Sequence, residues 1–178
     1  MDLKIQIVEA FAMCEKDAEQ TLHQAQYTDN GMSADFSSAQ WRLEAKKDND
    51  KHWQDITEAA LIECDTAMSH AILQNWPYFL AAHLCFALDA LDRHDFDYAL
   101  ISSVVYHLTY EEWEPGIKNT YYLERFATLT PAQAEAIKAF LNFCLAESLK
   151  EIEANNCYVR LYDDAQLALS RYWLKPAS

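Results

Sequence analysis

Two glycines, Gly31 and Gly116, stand in a chain of 178 residues, where average usage would supply roughly a dozen. Hairpins and tight turns depend on residues that reach positive φ at little cost. A strand-rich architecture would lack its turn chemistry here, so the scarcity points to long helices joined by a few polar connections. With 51% of its residues apolar, a chain of this length can bury a core without disulfide or metal staples. The expectation is all-α: a single helical domain over residues 1–178, built as an irregular bundle of about six to eight helices.

The five cysteines, Cys14, Cys64, Cys85, Cys144 and Cys157, are odd in number and fall mostly among apolar helical neighbours, which reads as reduced core thiols. Residues 1–15 carry Asp2 and Glu9 in an amphipathic pattern, unlike the basic start and apolar stretch of a secretory signal. The most apolar window, residues 76–88, holds 13 residues including His83, short of the roughly 20 that span a bilayer. A cytoplasmic location without membrane association is expected.

Local signals place the helices. Residues 3–19 carry an apolar stripe through Ile5, Val8, Phe11 and Ala12, and the Asn30-Gly31 pair signals a reversal. Residues 33–47 can form a second helix. Thr57 is a helix cap flanked by Ile56 and Leu61 as a hydrophobic staple, and Leu61, Cys64, Ala67, Met68 and Ala71 continue at helical spacing. Pro77 suits a first helical turn, and residues 79–91 are apolar on nearly every face, as a central helix would be. Residues 98–108 fit helix or strand, because Ile101, Val104 and Val105 are β-branched. Residues 111–116 read as a loop and 121–126 as a helical turn. Thr130-Pro131-Ala132-Gln133 is a capping box opening a helix to about Asn155, and residues 163–174 form a last amphipathic helix.

The formal net charge of −14 disfavours nucleic acid, whose binding needs lysine and arginine to displace counterions. The acid is concentrated: residues 61–120 hold nine acidic and two basic groups. Such a surface either serves solubility or steers a basic partner. Phosphate-cradling glycine loops, serine elbows, Cys-x-x-Cys pairs and His-Glu-x-x-His are all missing from the sequence, which lowers the weight of catalysis. Asp89, Asp92, His94, Asp95 and Asp97 form the densest set of hard-cation ligands. They lack the sixth-position glycine and twelfth-position glutamate of a helix-loop-helix calcium site, so neither metal nor cofactor is expected.

Trp113 stands among Glu111, Glu112 and Glu114 beside Pro115-Gly116. An aromatic in a charged rim is how interface anchors look, although its ring can equally fold back over the core. His70, His83 and His107 are the histidines suited to partial burial, where titration near neutrality becomes useful, and Glu63, two helical turns before His70, is its acid partner.

Three stretches together resemble a family of small bacterial proteins of unknown function: His52-Trp53-Gln54-Asp55-Ile56, Ser102-Ser103-Val104-Val105-Tyr106-His107-Leu108-Thr109, and Tyr122-Leu123-Glu124-Arg125-Phe126 with Leu129-Thr130-Pro131-Ala132-Gln133. The resemblance runs from about Leu3 to Phe143 and implies a free-standing bacterial cytoplasmic protein, with no activity attached. The expected function is therefore a non-enzymatic, inhibitor- or immunity-like module that binds a basic protein through Asp89, Asp92, Asp95, Asp97, Glu111, Glu112, Trp113 and Glu114. Two rivals stand beside it. One is an enzyme or small-ligand binder with an interhelical pocket of His70, His83, His107 and tyrosines; the other is a homo-oligomer that buries spare aromatics across a symmetric interface.

Overall fold

At Pro77 the longest apolar run of the chain becomes a helix. Lacking an amide hydrogen, Pro77 sits in the first turn of α6, Trp76–Asp92, where that hydrogen would have no intrahelical acceptor. Of the 17 residues of α6, 14 are buried, so the helix is core on almost every face. The computed structural model describes residues 2–29, 38–96 and 98–174, and the remaining elements flank α6 along the chain. They are α1 (Leu3–Ala10), α2 (Leu22–Asp29), α3 (Ala39–Ala45), a 3₁₀ turn (Trp53–Asp55), α4 (Glu58–Glu63) and α5 (Ala67–His70) before it. After it come α7 (Ala99–Leu108), α8 (Thr120–Ala127), α9 (Pro131–Asn155), α10 (Arg160–Ala168) and a π-helical segment (Leu169–Trp173). The fold is all-α: 67% of the described residues are helical, and eight of the ten α-helices among them are seven residues or longer. Among the described residues the β-type pairing is one isolated bridge, Glu114 to Ile117.

The capping signals are realised. Thr57 Oγ1 accepts from the Ala60 amide at 3.2 Å, with Ile56 and Leu61 both buried beside it. Thr130 Oγ1 accepts from the Gln133 amide at 3.3 Å while Gln133 Oε1 accepts from the Thr130 amide at 2.8 Å, closing the box. The β-branched stretch resolves as α7 because Leu100, Ile101, Val104, Val105 and Leu108 fall on one helical face that packs against α6.

Where helices stop short of expectation, side chains from distant parts of the chain supply the hydrogen bonds. The first helix ends at Ala10 instead of residue 19. Beyond it the Phe11 carbonyl accepts from Trp53 Nε1 at 3.0 Å. Buried Asn75 accepts from the Asp17 amide at 2.6 Å and donates to the carbonyls of Asp17 and Gln20 at 3.2 and 2.6 Å. The apolar repeat at 61–71 is broken into α4 and α5, since the Thr66 amide and hydroxyl both donate to Gln26 Oε1, at 3.0 and 2.9 Å. The chain is still helical at Tyr27–Asp29, inside α2, and the Asn30-Gly31 signal lies outside the described residues. The last helix begins at Arg160 and widens to π geometry at Leu169.

The cysteines are free thiols. Cys64, Cys85 and Cys144 are buried, Cys14 partly so, and Cys157 is exposed. Burial pushes the Cys64 thiol up to about 12 and the Cys85 thiol up to about 11, and raises that of Cys144. No described helix is long and apolar enough to cross a membrane.

Candidate functional site

The segment between α7 and α8 is a built loop. Thr109 closes α7, its hydroxyl donating to the Val105 carbonyl at 2.7 Å, and Asn119 caps α8 by accepting from the Tyr121 amide at 3.1 Å. Between them Glu114-Pro115-Gly116-Ile117 makes a tight turn, with the Ile117 amide donating to the Glu114 carbonyl at 2.8 Å. Proline second and glycine third is the type II pattern, which requires positive φ at the third residue; Gly116 has φ +83°. The Gly116 amide donates to Glu112 Oε2 at 2.8 Å, and the Trp113 amide donates to the Ile117 carbonyl at 3.0 Å.

These bonds hold the Trp113 backbone while leaving the residue 74% exposed, so the side chain does not fold back over the core. The loop surrounds an open cavity of about 490 Å³ lined by Tyr110, Glu111, Glu112, Trp113, Glu114, Pro115 and Arg171. Its wall is aromatic in depth: Tyr110 meets Tyr122 edge-on at 6.1 Å and lies 6.2 Å from Tyr172, which in turn packs on Phe126 and Trp173. The π-helical segment turns Arg171 onto the loop, where Nη1 pairs with Glu111 Oε1 at 3.0 Å. One guanidinium faces three carboxylates, so the cavity keeps a negative excess suited to a cation, with aromatic surface to desolvate it.

The other acidic residues do not join this cavity. Asp89 pairs with Lys4 at 2.5 Å, and Asp92 and Asp95 are exposed where α6 ends, at the left-handed His94 (φ +58°). Asp97 lies outside the described residues. The α6–α7 connection and the 111–116 loop sit at opposite ends of α7, ten residues long and therefore about 15 Å. The described acidic residues of the middle third are therefore dispersed: Asp92 and Asp95 lie towards one end of α7, Glu111, Glu112 and Glu114 towards the other, and Glu63 stands apart beside His23.

The three histidines reach different environments. His70 Nε2 pairs with Asp29 Oδ1 at 2.8 Å. The expected Glu63 partner is lost because the helix breaks at Cys64, and Glu63 instead approaches His23 Nε2 at 3.6 Å. His83 is fully buried in α6 with Nδ1 bonded to the Phe79 carbonyl at 2.8 Å; burial pulls it down to about 4 against that bond. His107 is pulled down to about 3, by burial first and then by the charges of His83, Arg125 and His70. Both are thus neutral imidazoles at neutral pH. Beside them Arg125 donates to the carbonyls of Ser69 and Ala71 at 3.3 and 3.0 Å and stacks on the Tyr121 ring at 3.7 Å, capping the C-terminal end of α5. Among the described residues no three His, Cys, Asp or Glu side chains are grouped to hold a metal.

Sequence reasoning missed Tyr110 and Arg171 at the loop. Arg171 is 60 residues from Glu111, a separation that no local pattern signals. Residues 1–177 match the family described as a family of unknown function (DUF6714), and the chain belongs to it. No curated protein and no solved structure matches the chain.

Proposed function

Since membership of that family assigns no activity, we propose that the protein is a non-enzymatic, inhibitor- or immunity-like module that binds a basic protein partner through the 110–115 loop. The observation that carries the reading is Trp113, 74% exposed at the mouth of a cavity whose carboxylates outnumber its one guanidinium. In this reading Trp113 is the anchor, desolvated on docking, and Glu111, Glu112 and Glu114 steer the approach of a lysine- or arginine-bearing surface. Ile117, half exposed on the same turn, extends the apolar contact.

The test is site-specific photo-crosslinking from position 117 in the native host, followed by kinetics on the captured protein. The expected partner is basic. Its association slows as salt rises from about 50 to 500 mM, because screening shortens the field from roughly 14 to 4 Å. Trp113→Ala should speed its dissociation. An acidic partner, or one indifferent to salt and to Trp113→Ala, would overturn the reading.

A further inference from the structure

The cavity beside Trp113 already holds one positive charge, and it comes from the chain itself. Arg171 belongs to the π-helical segment Leu169–Trp173, a geometry that is rare and recurs at functional positions. The two residues that follow it fix the segment to the loop. The Tyr172 ring lies 6.2 Å from that of Tyr110, and buried Trp173 is bonded to the Leu108 carbonyl at 2.8 Å. Arg171 is thereby carried to the cavity wall, of which its side chain forms part.

Its hold there is slight. Nη1 alone makes the contacts, to Glu111 Oε1 at 3.0 Å and to the Tyr110 carbonyl at 3.5 Å. A planar fork able to grip a carboxylate with two parallel bonds uses one. The Arg171 and Glu111 side chains are 40% and 54% exposed, and an ion pair in that setting contributes little because water screens it and both side chains lose freedom. Arg125 on α8 shows how a structural arginine of this fold is built in. It is buried, bonds the carbonyls of Ser69, Ala71 and Tyr121, and stacks on the Tyr121 ring. Glu112 is likewise committed, since its carboxylate closes the turn onto the Gly116 amide. Glu111 is the carboxylate whose cation can leave without loosening the loop.

We propose that Arg171 is an intramolecular stand-in for the partner: it holds Glu111 in the free protein and is displaced by an arginine of the basic partner, which then pairs with Glu111 and stacks on Trp113. The inference rests on the loop being the docking surface, and it adds the residue the loop receives and the contact that opens first. Arginine fits better than lysine because what Glu111 and the Tyr110 carbonyl already accept is a guanidinium, and a guanidinium both forks onto a carboxylate and lies flat on an indole. The stand-in also discriminates: a lone cation gains only what Arg171 gives up, whereas a surface that also covers Trp113 gains the buried indole besides.

The experiment titrates the full chain with the peptide acetyl-Ala-Arg-Ala-amide at about 25 mM salt, where screening is weak. The readout is the indole N–H of Trp113 by NMR, a signal identified by its loss in Trp113→Phe. A saturable shift is expected, with weaker binding of the lysine peptide. Arg171→Gln, at an exposed side chain, should tighten binding roughly two- to fivefold, as release of an exposed ion pair implies. In a Glu111→Gln background the same change should give no gain, because the contested carboxylate is gone, whereas a simple reduction of positive charge would still help. An affinity unchanged or weakened by Arg171→Gln, a gain that persists in Glu111→Gln, or equal binding of the lysine peptide would overturn the proposal and leave the docking surface standing. A Trp113 signal that saturates with neither peptide in any variant would overturn both.

Discussion

Trp173 Nε1 donates to the Leu108 carbonyl at 2.8 Å, joining residues 65 apart in the chain. The bond satisfies a carbonyl in the last turn of α7, which has no intrahelical partner, and fastens the π-helical segment to the base of the 110–115 loop. Trp173→Phe keeps most of the ring contact with Phe126 and removes the donor. Urea unfolding should show a loss of about 1–2 kcal/mol, the usual effect of stranding a buried acceptor; an unchanged midpoint would show that the bond contributes nothing.

The buried imidazoles make a pH prediction. His83 and His107 titrate at about 4 and about 3 in the folded chain, below the ordinary value near 6.5 that applies when unfolded. The unfolded state therefore binds protons first. Their stabilising effect is complete above about pH 6.5 and is lost as pH falls towards those folded values. Between pH 7 and 5 each should withdraw about 2 kcal/mol. His83→Leu should flatten this decline by about half in urea titrations at the two pH values, and a slope identical to the parent would refute the assignment.

At Gly116 the backbone has φ +83°, and a Cβ there would meet nothing within 4 Å. Gly116→Ala thus introduces conformational strain without a clash, of about 1 kcal/mol. Because the turn is exposed, the strain should be read locally. Amide exchange at Ile117 should accelerate while exchange in α6 stays as it was; protection unchanged at both would show that the turn tolerates alanine.

Trp113→Ala and the triple change of Glu111, Glu112 and Glu114 to glutamine should leave the unfolding free energy within about 0.5 kcal/mol, since exposed side chains contribute little to folding. Circular dichroism during thermal unfolding checks this directly. A large loss on Trp113→Ala would assign the ring a folding role and remove it from the interface.

Removing the cap at Thr130 should matter more. Thr130→Ala deletes the acceptor for the Gln133 amide and should cost about 1 kcal/mol, measured as a lower urea midpoint with an unchanged slope.

What could be read from the sequence was local chemistry. Pro77, Thr57 and the Thr130–Gln133 box act within four residues of themselves, so the starts of α6, α4 and α9 fall where those residues stand. The breaks fall elsewhere because Asn75, Gln20 and Gln26 satisfy backbone groups 40 or more residues away. The same distinction governs the site. The Trp113 loop was legible from its proline, glycine and glutamates, but Arg171 arrives from another helix.

The graded depth of the five thiols turns the chain into its own clock of opening. A thiol-specific alkylating reagent meets Cys157 at the surface at once and half-buried Cys14 more slowly. Cys64, Cys85 and Cys144 become reactive only when α4, α6 or α9 leaves the core and the raised thiols fall back to ordinary acidity. The order in which α4, the central α6 and α9 come apart is therefore recorded as the order in which three cysteines gain mass.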